Sequence, residues 1–223
     1  PFTIPAQNDG FEVLDLPLET VQNAGSRSVA QYNAARLLDF NIGRLMEIAQ
    51  QGGWYDNTIF VMFGDHNTRI SQIPHMPPAF EKLGLESNNV PMLIHAPKLL
   101  EPKVIEQAVG LADLLPTVLG MVGVEFRNGA MGRDIQQPAP EGERVVPLVL
   151  REGTFPLIGG VTKDFLLQMQ HDGSQPTLHD LASQTPLTDV ADQHPEEFQR
   201  LEQLTRGLHE TSRLMLYQNV RAD

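Results

Sequence analysis

Cysteine is absent from all 223 residues, so no disulfide, thiolate metal site or thiol nucleophile exists within this chain. That absence leaves the compartment open, because oxidising and reducing environments both tolerate it. Positive charge is scarce too: 16 Lys and Arg against 28 Asp and Glu leave a formal net charge of -12. A nucleic-acid binder needs a basic face, so the balance argues against that partner, and it opposes adsorption to an anionic lipid surface. An acidic surface does suit a protein that holds cations. No apolar run reaches the roughly 20 residues that cross a bilayer. No leader peptide is visible, and the chain opens at Pro1-Phe2-Thr3 without an initiating methionine, which is expected of a piece trimmed from something longer.

What is present is a 41% hydrophobic composition, enough for a core in one large domain or a domain with an appendage. Residues 1–23 are rich in turn formers and read as an irregular lead-in. Residues 26–53 hold the clearest helix. Ser26 or Ser28 caps it, Gly52-Gly53 ends it, and Ala34, Leu38, Ile42, Leu45 and Ala49 form one apolar stripe. Residues 58–63 are an unbroken apolar run after an Asp56-Asn57 turn, the pattern of a strand covered on both faces in a parallel sheet. A long excursion with several prolines follows over residues 67–89, a length that is commonly functional. A second strand is expected over 90–95, and a helix entered at Asp113 with Pro116 in its first turn. The fold class is therefore α/β, a mostly parallel sheet flanked by helices, over residues 1–140. After the polar connector 132–144 the composition changes. Strand candidates at 145–151, 156–162 and 164–170 and a closing helix striped by Phe198, Leu201, Leu204, Leu208 and Met215 make residues 141–223 a small α+β subdomain.

The first strand ends in Gly64-Asp65-His66. Ligands of open α/β sheets bind beyond the carboxyl ends of strands, which is where this carboxylate and imidazole fall. Neighbouring strand residues point to opposite faces, so both reach one ion only if the backbone leaves the strand, and Gly64 permits that departure. The donor pair suits Zn, Mn or Mg without choosing among them. Arg69 and His75, in the excursion, are candidate substrate contacts. His95 closes the second strand and reads as a packed or hydrogen-bonded histidine, Asp113 as a helix cap, and Asp39 as structural. The histidines of the tail receive no chemistry.

Residues 55–67, YDNTIFVMFGDHN, resemble the alkaline phosphatase and sulfatase superfamily, where a strand ends in Gly-Asp-His and the last two residues bind the catalytic metal. The resemblance continues in order: the helix at 28–58, the strand at 89–99, the Asp-x-x-Pro-Thr segment at 111–124, the Gly-Arg-Asp element at 132–135 and the closing stretch at 179–201. The opening is most similar to the lipoteichoic acid synthase-like branch, whose members transfer or cleave phosphoglycerol-type groups outside the cytoplasm. In that branch a substrate-contacting His lies just before a Pro-Phe pair, and here the chain starts at Pro1-Phe2.

The resemblance implies Asp65 and His66 as metal ligands for one divalent cation (Mn, Mg or Zn, or Ca in a true sulfatase). It implies a nucleophile (Thr, Ser or formylglycine) and a further metal carboxylate upstream, in a missing N-terminal half of the catalytic domain. No catalytic nucleophile is expected in this chain. The substrate implied is a phospho- or sulfo-ester, lipid-linked in the preferred branch, met on the extracytoplasmic side of a bacterial membrane, with anchoring through an absent N-terminal region. Two rivals stay open: a true sulfatase or phosphodiesterase of the same fold, and a non-catalytic interaction domain that keeps the fold.

Overall fold

The lead-in is held to the first long helix by Asn33, Arg36 and Phe40. The computed structural model describes residues 3–67, 76–138 and 144–219. After a short helix α1 (Leu18–Asn23), helix α2 runs from Val29 to Gln51. The Ser28 hydroxyl accepts the Gln31 N–H at 3.1 Å, and Gly53 takes a positive φ beyond the last turn, as the capping residues predict. Buried Asn33 of α2 clasps Leu14 from both sides. Its Oδ1 accepts the Leu14 N–H at 2.9 Å, and its Nδ2 donates to the Leu14 carbonyl at 2.8 Å. Phe11 is buried near Phe40 with the Arg36 guanidinium over its ring, which fixes the same segment.

The chain divides into two compact units, one of Pro1–Met76 with Glu86–Lys103 and one of Pro77–Leu85 with Val104–Asp223. In the first, strand β1 (Phe60–Phe63) pairs with β2 (Met92–His95). The intervening stretch includes the short helix α3 (Pro78–Lys82), which belongs to the second unit.

The expectation of parallel pairing is not met. β1 and β2 run antiparallel, with Phe60 opposite His95 and Phe63 opposite Met92, and no described strand pair is parallel. The connection from Phe63 to Met92 leaves and re-enters at the same end, so it never makes the crossover that parallel neighbours require. Nor is β1 covered throughout: Phe60 is buried, whereas Phe63 is exposed. An unbroken apolar run reports hydrophobic surface, not which element lies against it.

The second unit holds a four-stranded antiparallel meander, β3 (Val146–Arg151), β4 (Leu157–Val161), β5 (Phe165–Gln170) and β6 (Thr177–Asp180), in that order. Alternation along β5 sorts its side chains to two faces. Leu167 and Met169 join Ile158, Leu178 and Leu201 under helix α5 (Pro195–Asn219), while Leu166 packs with Ala79, Leu83 and Leu85 of the α3 segment. One residue of the expected α5 stripe is displaced: Leu204 is exposed and its neighbour Thr205 is buried. The reason is Gly160 in β4, where an added Cβ would overlap Thr205; the missing side chain lets the helix come close. Helix α4 (Leu114–Met121) follows a 3-10 turn at Leu111–Asp113 and ends before Gly123, whose φ is +69°.

Candidate functional site

Asp65 and His66 form an exposed turn slung between two anchored residues. Before them, the Gly64 N–H donates to the Pro91 carbonyl at 3.1 Å, one step beyond the β1–β2 ladder. After them, the Asn67 N–H donates to the Ser87 carbonyl at 2.8 Å and its Nδ2 to the Asn89 carbonyl at 3.3 Å. The two residues between are therefore lifted off the strand, and their side chains are 86% and 73% exposed. Gly64 is required for a reason that differs from the expected backbone freedom. It has no positive φ, and a Cβ there would lie 2.8 Å from the Val90 Cβ, so close strand approach demands the glycine.

The pair is arranged as donors. Asp65 Oδ1 accepts the His66 N–H at 2.9 Å, which leaves Oδ2 outward. His66 Nδ1 lies 3.3 Å from the Asn67 carbonyl, which only accepts, so the ring proton sits on Nδ1 and the lone pair on Nε2. Nε2 and Oδ2 are 3.8 Å apart. An ion bound at 2.0–2.2 Å with tetrahedral angles wants two donors about 3.3–3.6 Å apart, so a small side-chain adjustment suffices. The two fit as a pair of ligands to a hard or borderline divalent cation. They are not a complete set: among the described residues no group of three or more His, Asp or Glu side chains can hold a metal. Arg69 and His75 lie outside the described residues.

His95 is remote from this turn. Antiparallel pairing sets it opposite Phe60, at the far end of β1, where Tyr55 Oη meets its Nε2 at 2.6 Å and the Phe60 ring packs beside it. It is a packed, hydrogen-bonded histidine. Asp39 is exposed. His179 is buried and satisfied: Nδ1 donates to the Pro186 carbonyl at 2.9 Å, and Nε2 accepts from Gln168 and Thr177.

Asp113 heads α4 without a side-chain cap bond to it, so its reading as a helix cap is corrected: the carboxylate serves other partners. Its buried carboxylate accepts the Gly110 N–H at 2.8 Å, the Arg133 N–H at 2.9 Å and the Arg144 guanidinium. Burial pushes the Arg144 guanidinium below its ordinary value, Asp113 opposes that shift, and nearby Arg133 adds to it. Thr117, one turn on, donates to the Asp113 carbonyl at 2.6 Å and accepts the Ile135 N–H at 3.1 Å. Gly132 completes the seam, because a Cβ there would overlap the Ala112 carbonyl. The Asp-x-x-Pro-Thr segment is thus sewn to the Gly-Arg-Asp element through backbone groups. Sequence reading missed Asn33, Asn67 and Arg144; for Asn33, a polar side chain among apolar neighbours was the available signal.

Comparison with known proteins identifies the family and the fold. The sulfatase family profile matches residues 8–124. Lipoteichoic acid synthase 2 of Bacillus subtilis is 30% identical over 132 residues, covering 56% of this chain and 20% of the relative. N-acetylglucosamine-6-O-sulfatase of Bacteroides thetaiotaomicron is 28% identical over 119 residues, covering 53% of this chain and 21% of the relative. Among solved structures, the lipoteichoic acid synthase LtaP from Listeria monocytogenes superposes with a TM-score of 0.63 at 19% identity, covering 95% of this chain and 50% of that one. A putative sulfatase, yidJ, from Bacteroides fragilis gives 0.65 at 20% identity, covering 91% and 46%. The chain spans about a fifth of those curated relatives and about half of those solved chains. Among the described residues no helix is long and apolar enough to cross a membrane. The α/β fold is that of the sulfatases, relatives on both the sulfatase and the lipoteichoic acid synthase side are enzymes, and this chain belongs to the sulfatase family.

Proposed function

We propose that the chain supplies Asp65 and His66 to the divalent-metal site of an enzyme that transfers or hydrolyses a phosphoglycerol-type phosphodiester. The observation that carries this is the anchored turn, which presents Asp65 Oδ2 and His66 Nε2 outward and 3.8 Å apart. Lipoteichoic acid synthase relatives support the phosphodiester subclass. The N-acetylglucosamine-6-O-sulfatase relative supports a second reading, sulfuric ester hydrolysis by the same site.

In this reading, residues 1–140 belong to the sulfatase-like α/β domain and 141–223 to its α+β subdomain. Asp65 contributes the negative charge that holds a cation, and His66 a directional nitrogen whose tautomer the Asn67 carbonyl sets. Asn67, tied to Ser87 and Asn89, holds both ligands against the strand end. A bound divalent cation (Mn, Mg or Zn, or Ca for a sulfatase) would supply positive charge toward the transferring group and acidify a hydroxyl. The nucleophile and remaining ligands are assigned to a half of the domain outside this chain, and Arg69 and His75 to substrate contact. The substrate is met outside the cytoplasm, lipid-linked, with membrane anchoring also outside this chain.

The test has two arms. Calorimetry with Mn and Zn on this chain should show weak or no binding, because two ligands do not hold a catalytic metal. In the complete enzyme, Asp65→Ala and His66→Ala should each remove orders of magnitude of turnover on phosphoglycerol diesters. Full activity of His66→Ala removes the metal assignment. Turnover of aryl sulfates but not diesters selects the second reading, and no turnover of either ester favours a non-catalytic domain.

A further inference from the structure

Beside the seam of Asp113 and Thr117, the second unit holds a cavity of about 370 Å3. Its wall brings two guanidinium groups together, those of Arg133 and Arg144. They are near enough that Arg133 helps to hold Arg144 below its ordinary value. Like charges so placed repel, and an anion seated between them relieves the repulsion.

Arg144 is part of the framework of this wall. Its side chain is only 5% exposed, its Nη2 meets Asp113 Oδ1, and no other acceptor among the described residues meets the guanidinium. A buried guanidinium with N–H groups left over calls for a further oxygen. Arg133 gives Asp113 its backbone N–H, and its guanidinium makes no ion pair among the described residues.

The carboxylates at hand are already engaged. Asp113 serves the three donors of the seam. Asp134 lines the cavity, but its Oδ1 accepts the Gln136 N–H at 2.9 Å, and its Oδ2 lies against Gly120 of α4, where an added Cβ would overlap it. Asn128 is spent on its own loop, donating to the Gly132 carbonyl at 2.7 Å and accepting the Ala130 N–H at 3.0 Å. The Gln107 and Gln137 amides line the wall with no side-chain hydrogen bond among the described residues.

Size and lining describe the rest of the ligand. A volume of about 370 Å3 falls at the lower end of small-molecule sites and exceeds what a bare tetrahedral oxyanion fills. Pro116 is buried in the wall and Phe126 is 41% exposed, so an apolar face is offered to an organic body. The two glutamine amides offer donors and acceptors to hydroxyl groups. A guanidinium fork matches the oxygens of a phosphate or sulfate ester.

We propose that this cavity binds a small polyhydroxylated ester of phosphate or sulfate, with its oxyanion between Arg133 and Arg144 and its body against Phe126. The site uses no metal and no residue of the Asp65–His66 turn, so it stands or falls apart from the metal reading.

The experiment is calorimetry on the full 223-residue chain in metal-free, low-salt buffer. The probes are inorganic phosphate, glycerol 3-phosphate and glucose 6-sulfate. Saturable binding of at least one ester is expected, tighter than about 1 mM. Arg133→Gln, at an exposed position, should weaken it about tenfold or more without changing the thermal melt. Arg44→Gln removes the same charge from exposed α2 and should leave binding as it was. Either ester supports the proposal, and the tighter one distinguishes phosphate from sulfate. The proposal is overturned by no saturable binding, by Arg133→Gln binding like the parent, or by an equal loss in Arg44→Gln. Inorganic phosphate binding as tightly as both esters also overturns it, since the organic body would then contribute nothing.

Discussion

Replacing Asp113 by alanine removes one carboxylate that serves three donors: the Gly110 and Arg133 backbone N–H groups and the Arg144 guanidinium. Arg144 is itself buried, so the substitution strands a cation away from water. Breaking a buried pair from one side costs about 3–5 kcal/mol, and the two unpaired N–H groups keep the estimate at the upper end. For a chain of this size that corresponds to a loss of roughly 6–20 °C in Tm. Arg144→Met is the informative partner. It leaves the Asp113 carboxylate with two backbone bonds still made, and the methionine fills space the guanidinium stem occupied, so its expected cost is about 1–2 kcal/mol. Urea unfolding of the two single variants and the double variant gives the ordering and the coupling. If Arg144→Met is as damaging as Asp113→Ala, or if Asp113→Ala unfolds within about 0.5 kcal/mol of the parent, the carboxylate is not the hub that its three bonds describe.

Three smaller predictions follow from packing and titration. Gly64→Ala should destabilise by about 1–3 kcal/mol because its Cβ meets Val90, and Val90→Ala should recover part of the loss; a neutral Gly64→Ala in thermal melts refutes the close approach. Thr205→Val should be neutral or stabilise by up to about 1 kcal/mol, since the buried Thr205 hydroxyl has no hydrogen-bond partner among the described residues; a clear loss in the same melts would reveal a hidden partner. Ser174 hydrogen bonds hold the Asp172 carboxyl below its ordinary value, so the stability it contributes is present above the ordinary carboxylate range and lost as pH falls through the depressed value. Ser174→Ala should move that loss to higher pH, read from the Asp172 carboxyl carbon in an NMR titration.

Local chemistry was legible in the sequence wherever a residue's role depends on near neighbours. Ser28 and Gly52-Gly53 bound α2, β3 to β5 fall within the apolar runs that announce them, and Asp65-His66 emerge past a strand as exposed donors. What depends on distant partners was not legible. An apolar run looks the same whether its neighbour is parallel or antiparallel, so His95 could not be placed at the far end of β1 from Asp65. The burial of Thr205 in place of Leu204 follows from a glycine on another element, 45 positions earlier. β6 is only four residues with a single apolar one, Leu178, too short to declare itself beside its polar turn. The anchoring of Asn67 rests on two carbonyls, 20 and 22 positions away. Periodicity names an element and its wet and dry sides; it carries no record of which surface answers it.

The Asn33 clasp touches Leu14 only through main-chain atoms, an N–H and a carbonyl that every residue except proline offers. A lock of this kind is blind to the identity of what it holds. Position 14 is therefore free to vary across a saturation library with only proline and strained substitutions depleted, while position 33 tolerates almost nothing, since an amide alone combines donor and acceptor at that reach. At this point the path of the lead-in is written in one residue of the helix that receives it, leaving the side chain at position 14 available to change.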